Sequence, residues 1–332
     1  MTQASDVMSM SPNFLKTAAA RTLSLATVFR MTDNQAFEAF KALRRWPESN
    51  GAPICPRCGG WENYACAGRE WKCKACRRRF SVTSGTLFHS RKLAMRDILA
   101  AIALFTNGAS GAAALRMSRE LNVQHKTAFV LLHKLREAMA SEQEGASVGG
   151  IGEIVEVDGA YFGGYVKPEN YADDRKDRRL KENQTGKRQA VVAMRERGGR
   201  TLTFVFKSEA ESVPMVVART RTGSTVHADE APVWDALHDR FAARRINHSV
   251  AFSDNGACTN MAESYFSRLR RAEIGVHHHI SGQYLSAYAA EMAWREDHRR
   301  QSNGAQFHRV ATNALALPKS RRWCGYWERS EG

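Results

Sequence analysis

Four cysteines constrain this chain more tightly than any other feature. Cys55-Pro-Arg-Cys58 is followed, after fourteen residues, by Cys73-Lys-Ala-Cys76. Each C-x-x-C knuckle offers two thiolates to one cation, and two knuckles complete the tetrahedron zinc prefers, at Zn–S distances near ~2.3 Å. The intervening stretch is too short for a conventional core, with Trp61, Tyr64 and Trp71 as cover, so metal binding would itself supply folding free energy. Four cysteines leave no open coordination position, which makes zinc a structural staple. A disulfide frame or a redox site is the alternative. Arg57, Arg69, Lys72, Lys74 and the run Arg77-Arg78-Arg79 make the knuckles basic, suited to phosphate contact or simply to a solvated surface.

The rest of the composition narrows the class of partner. Lys and Arg number 49 against 34 Asp and Glu, a net charge of +15 in 332 residues, which favours a polyanion and says nothing about fold. A hydrophobic content of 43% suffices for at least one sizeable core. The longest apolar run, Ile98 to Phe105, is far short of the ~20 residues of a spanning helix, and the N-terminus lacks a basic segment followed by an apolar one. Nucleic acid is therefore expected before membrane, and the cytoplasm as the location. Cys66, Cys258 and Cys324 are left as free thiols.

Periodicity predicts the elements. A short helix is expected around Phe14 to Leu25, then one from Asp33 as N-cap with Phe37, Phe40 and Leu43 inward until Pro47. Met95, Ile98, Leu99, Ile102 and Phe105 predict a helix, and two more follow at Ala112 to Leu121 and beyond Asn122-Val123. The last pair fits a helix-turn-helix, whose second helix begins Gln124-His125-Lys126-Thr127 and would present these residues to the DNA major groove. A plain helical hairpin is the other reading. Ser141 to Gly152 reads as a linker, after which the texture changes. β-rich runs stand at Ile151–Asp158, Gln189–Met194, Thr201–Lys207, Ser224–Asp229 and Ser249–Ser253, with helical patterns at Ala231–Phe241, Asn260–Arg271 and Tyr284–Arg295. Three strands in meander, then alternating strands and helices, predict a mixed sheet flanked by helices, an α/β fold. Val166 to Arg188, with eight basic and five acidic residues, reads as a solvated loop or a DNA-contacting insertion.

Three acids stand at chemically telling places. Asp158 is expected to close the first strand, Asp229 the fourth, and Glu263 to lie in the first turn of the helix beyond the fifth. Carboxylates are the hard ligands that hold Mg²⁺, or Mn²⁺, and two ions ~4 Å apart can serve both the attacking and the leaving oxygen of a phosphodiester. Each acid also has a plainer reading: Asp158-Gly159 as a hairpin turn pair, Asp229 as a helix cap, Asn260-x-x-Glu263 as a capping box. Asp254 and Glu230 are rival carboxylates. His277-His278-His279 cannot all face one ion and is taken as a surface or DNA-facing segment. Arg268, Arg270 and Arg271 continue the Glu263 helix, either to grip phosphates or to complement its dipole.

These motifs resemble bacterial insertion-sequence transposases of the ISXO type. The likeness rests on the two cysteine knuckles, Phe80-Ser-Val-Thr-Ser-Gly-Thr-Leu-Phe-His89, Val155-Glu-Val-Asp-Gly-Ala-Tyr-Phe-Gly163, His227-Ala-Asp-Glu230 and Cys258-Thr-Asn-Met-Ala-Glu-Ser-Tyr-Phe-Ser-Arg-Leu-Arg-Arg271, and covers roughly residues 30 to 320. It implies an RNase H-like catalytic domain with an Asp, Asp, Glu triad at Asp158, Asp229 and Glu263, two Mg²⁺ ions, and a zinc ribbon and helix-turn-helix that recognise terminal inverted repeats. The expected organisation is an N-terminal helical segment at 1–50, the ribbon at 51–90, the helix-turn-helix at 91–142, the catalytic domain at 143–318 and a tail at 319–332. The expected activity is cleavage of element ends and strand transfer into target DNA by a homo-oligomer bound to both ends. An inactive DNA-binding regulator, and a nuclease or resolvase without strand transfer, are the alternatives.

Overall fold

The structure, a computed structural model, describes residues 13–164, 168–177, 180–183, 186–246 and 256–329. Two 3-10 turns, Phe14–Lys16 and Ala18–Ala20, lead into α1 (Leu25–Phe29) in place of one short helix. α2 (Asp33–Arg44) is capped by Thr32 rather than Asp33. The Thr32 hydroxyl accepts the Gln35 N–H while the Gln35 side chain accepts the Thr32 N–H, a capping box that satisfies two orphan donors. Arg45 and Trp46, both at positive φ, turn the chain before Pro47. β1 (Asn63–Cys66), β2 (Glu70–Cys73) and β3 (Arg79–Ser81) form an antiparallel sheet. α3 (Met95–Asn107) buries Met95, Ile98, Leu99, Ile102 and Phe105, as their spacing predicts.

α4 (Ala114–Glu120) and α5 (His125–Ala140) are joined by a tight turn in which Asn122 takes φ +50°, a conformation asparagine tolerates better than most residues. The second sheet holds β4 (Ile154–Phe162), β5 (Gln189–Glu196) and β6 (Thr201–Phe206) as an antiparallel meander. After α6 (Val213–Arg219), β7 (Thr225–Asp229) lies parallel to β4, and β8 (Ala242–Ile246) parallel to β7. The order β6-β5-β4-β7-β8 is that of an RNase H-like mixed sheet. α7 (Asn260–Ala272), α8 (Leu285–His298), α9 (Asn303–Ala316) and α10 (Tyr326–Arg329) complete the chain.

Two expectations change in this region. The helix foreseen at Ala231–Phe241 is a 3-10 stretch, Pro232–Asp239, whose buried residues Trp234 and Leu237 are three apart, the spacing that eclipses side chains in a 3-10 helix. Directly after it comes β8, an edge strand whose Arg244 and Arg245 hid its pattern. The strand foreseen at Ser249–Ser253, and Asp254, lie outside the described residues.

The chain divides into two compact units, Met1–Asn107 with His298–Ala316, and Gly108–Asp297 with Leu317–Gly332. α9 closes the first by packing on α2 and α3. In the second, alternation along the central strands separates two cores. Val155, Val157, Val226 and Ala228 pack with Val216 of α6 and with Trp234. Ala160, Phe162, Val191 and Ala193 pack with Tyr265, Phe266 and Leu269 of α7 and with Met292 of α8.

Candidate active site

The sheet register brings the first two acids together. β4 and β7 run parallel with Glu156 opposite His227 and Val157 opposite Ala228, so the next step along both strands sets Asp158 beside Asp229. Asp158 does not close its strand or make a hairpin turn: β4 continues to Phe162, paired with Gln189. Because side chains alternate, Glu156 and Asp158 share the face on which α7 packs, while Val155 and Val157 enter the opposite core. Asp229 does act in a local turn, its Oδ1 accepting the Ala231 N–H at 3.1 Å.

α7 supplies the third acid. Ala262, Tyr265, Phe266, Leu269 and Ala272 are buried on its inner face, and each large apolar side chain so buried stabilises the docking by about 1.5–3 kcal/mol. Tyr265 is fixed further by its hydroxyl, which donates to the Ala289 carbonyl at 3.1 Å. Another stripe of the same segment, Glu263, Ser267, Arg270 and Ile274, lines a cleft of about 630 Å³ together with Asp158. The foreseen capping box is absent: Thr259 is the N-cap, and its hydroxyl donates to Glu263 Oε1 at 3.4 Å.

Electrostatics link the acids. Burial pushes the Asp158 carboxyl up to about 7, the charges of Asp229, Glu263 and Glu209 push in the same direction, and the Gly159 N–H, donating to Oδ1 at 2.8 Å, pulls against them. Glu209 escaped the sequence reading. Its carboxyl is also raised, by burial and then by Asp229. A Cβ at residue 159 would lie 2.6 Å from Glu209 Cγ, so the glycine after Asp158 is what admits this fourth acid. The signal available in the sequence was the small residue, read there as a turn former.

The cysteines form a tighter cluster. Cys55 and Cys76 Sγ are 3.6 Å apart, as are Cys58 and Cys73, and all four sulfurs lie within 4.8 Å of one another. A tetrahedron of ~2.3 Å Zn–S bonds has sulfurs ~3.8 Å apart, so the four ligands fit zinc. The Cys76 thiol is drawn down to about 7, first by the hydrogen bond from the Arg78 backbone. Trp71 gives cover as expected, its ring 5.8 Å from those of Phe37 and Phe80. Trp61 and Tyr64 are instead exposed, at 63% and 51%. Among the described residues this is the one group of three or more potential ligands drawn so close.

Residues 150–297 match the family model of the ISXO2-like transposase domain, and residues 31–79 that of the transposase zinc-ribbon domain. The chain belongs to the ISXO2-like transposases. The first match contains Asp158, Asp229 and Glu263 and the second all four cysteines, and together they span more than half of the transposase. No curated protein matches it. Among solved structures, a chain of the "Crystal structure of the Mos1 Strand Transfer Complex" is 14% identical over 65% of this chain and 78% of that one, with a TM-score of 0.24.

The basic residues of the transposase separate into groups. Arg77, Arg78 and Arg79 are exposed on the ribbon, and Gln124, His125 and Lys126 at the start of α5, where Thr127 is half-buried. Arg270 and Arg271 line the cleft beside Asp158 and Glu263. Arg268 is directed elsewhere, its Nε 2.8 Å from Glu296 Oε2. His277 packs edge-on against the Tyr288 ring at 4.6 Å. Among the described residues, no helix is long and apolar enough to cross a membrane.

Proposed function

We propose that this transposase cuts the ends of its element and joins them to target DNA with divalent ions held by Asp158, Asp229 and Glu263. The observation that carries the reading is the strand register that sets Asp229 beside Asp158, which itself lines a cleft with Glu263. The donor set fits Mg²⁺ or Mn²⁺, since all three ligands are hard oxygens and gathering them on one buried carboxyl calls for compensating positive charge. Bound there, such ions would lower the pKa of water and stabilise the leaving oxygen.

The protein's own residues do the rest. Asp158 and Asp229 bind through charge, and Glu263 completes the set and orients the attacking oxygen, first of water and then of the freed 3′ end. Arg270 and Arg271 hold the phosphates flanking the scissile bond, with Arg271 able to use its planar fork. The ribbon arginines and the α5 start grip the terminal repeats. Two ends must be held at once, so the active form is a dimer or larger assembly on DNA.

Purified protein is incubated with Mg²⁺ and duplexes drawn from the DNA flanking its own gene, and nicked and joined products are resolved on gels. Nicks followed by joined products are expected. Binding without nicks would make the chain a regulator, and nicks without joining a nuclease or resolvase. Asp229→Ala should bind the duplex as before and cut nothing; continued cleavage by that variant would overturn the assignment.

A further inference from the structure

One step below Asp158 and Asp229 lies a second, fully buried polar tier that the reaction does not use. Glu156 is 0% exposed and His227 1%. Glu156 Oε2 accepts the backbone N–H groups of Met261 at 2.8 Å and Ala262 at 3.2 Å. Its other oxygen accepts from Arg197 Nε at 2.9 Å. His227 Nδ1 faces the Cys258 N–H at 3.3 Å and the Arg197 guanidinium at 3.2 Å, and Arg197 reaches Cys258 Sγ at 2.7 Å. The segment entering α7 is thus tied to the two central strands by three backbone N–H bonds.

The first turn of a helix has donors with no partner inside the helix, and a carboxylate there is favoured by both hydrogen bonding and the dipole. α7 has no side-chain cap of its own at Thr259. Glu156 takes that place from another strand. A buried ion pair is weak evidence for stability, because well-packed apolar residues often serve as well or better. Its location is more telling: it holds Met261 and Ala262, the two residues just before Glu263, on the strand that carries Asp158.

We propose that Glu156 is a positioning residue for Glu263, locking the first turn of α7 onto β4 and thereby setting where Glu263 stands relative to Asp158 and Asp229. The proposal rests on the reading of those three acids as the metal-binding set. Misplacement by ~1 Å can cost ~10²-fold in a reaction of this kind, and apolar packing along the inner face of α7 fixes the helix axis more firmly than the direction of its first turn. Arg197 and His227 support the lock by holding Glu156 and Cys258.

The test uses the full-length, zinc-loaded protein and two readouts apart from activity: Mn²⁺ affinity from the electron paramagnetic resonance of free Mn²⁺, and hydrogen–deuterium exchange of peptides covering residues 258–266. Glu156→Met, which cannot accept the two N–H bonds, should exchange there at least tenfold faster and bind Mn²⁺ at least tenfold more weakly, with zinc content unchanged. Glu156→Gln, whose amide oxygen can still accept, should recover most of both losses, and serves alone if the Met variant does not fold, then with at least a twofold change expected in each readout. Exchange at 258–266 that stays at the wild-type rate in the folded variant, or Mn²⁺ affinity within twofold of wild type despite faster exchange, would overturn the proposal. Asp158→Asn separates the two readings, since it should abolish Mn²⁺ binding while leaving exchange at 258–266 as in wild type. Wild-type Mn²⁺ affinity in Asp158→Asn would remove the metal reading, and with it the role assigned to Glu156, even if α7 loosens in the Glu156 variants.

Discussion

The ribbon and the cleft gather their ligands by opposite routes. The four cysteines come from a span of 22 residues, in two knuckles whose backbone turns already hold each pair. Asp158, Asp229 and Glu263 are separated by 71 and 34 positions and meet only because β4 pairs with β7 and α7 packs across them. The ribbon is a closed set of soft ligands, which suits a staple. The cleft is open and sets the carboxylates of Asp158 and Glu263 beside Arg270 and Arg271. The cysteines are neighbours in sequence before any fold forms; the three acids come together only through the fold.

The largest consequence is for zinc. Removing it with a chelator, or replacing Cys73 by Ser, should unfold β1–β3, because structural zinc binding is worth ~10–16 kcal/mol in small zinc domains at neutral pH. Zinc content and far-ultraviolet dichroism measure this, and a ribbon that keeps its fold without zinc would break the comparison. Next is Asp229→Ala, expected to lower the rate of end cleavage at least ~10³-fold, about 4 kcal/mol of barrier, with zinc content unchanged.

The third effect concerns stability and its sign can be worked out. The folded Asp158 carboxyl is raised to about 7 by burial and neighbouring acids, above its unfolded value near ~3.9. Its contribution is therefore fully present below pH ~4 and lost as pH rises toward ~7. At pH 8, without divalent ions, Asp158→Asn should be more stable by on the order of 2–4 kcal/mol, read as a higher unfolding midpoint. Added Mg²⁺ should stabilise the wild type and not the variant. No gain at pH 8 would mean the acids are not crowded. The smallest effect is that of Arg270→Ala, which should weaken binding to any duplex by a few-fold and lower the salt slope by about one. A loss confined to one sequence would place Arg270 at a base edge instead.

Glu156 and Glu209 show where sequence reading ran out. Glu156 sits between two apolar residues in Val-Glu-Val-Asp, and its phase alone puts it on the same face as Asp158. What could not be read was that this face would be covered by α7, turning an apparent solvent residue into a buried cap. Glu209 follows β6, in a loop with no periodicity, and only the missing Cβ of Gly159 hints at its approach. β8 was missed because arginines at an edge strand interrupt apolar alternation while the backbone still pairs with β7.

Local chemistry was enough for the ribbon and for the inward stripes of α3 and α7, since ligand spacing and helical period are properties of short segments, whereas the three acids each kept a plainer local reading and were singled out by the family resemblance. Which carboxylates face one another, which arginine is committed to Glu296 and which line the cleft, and what holds α7 in place were decided by strand register and packing. Those depend on residues tens of positions apart, and no short window of sequence contains both partners.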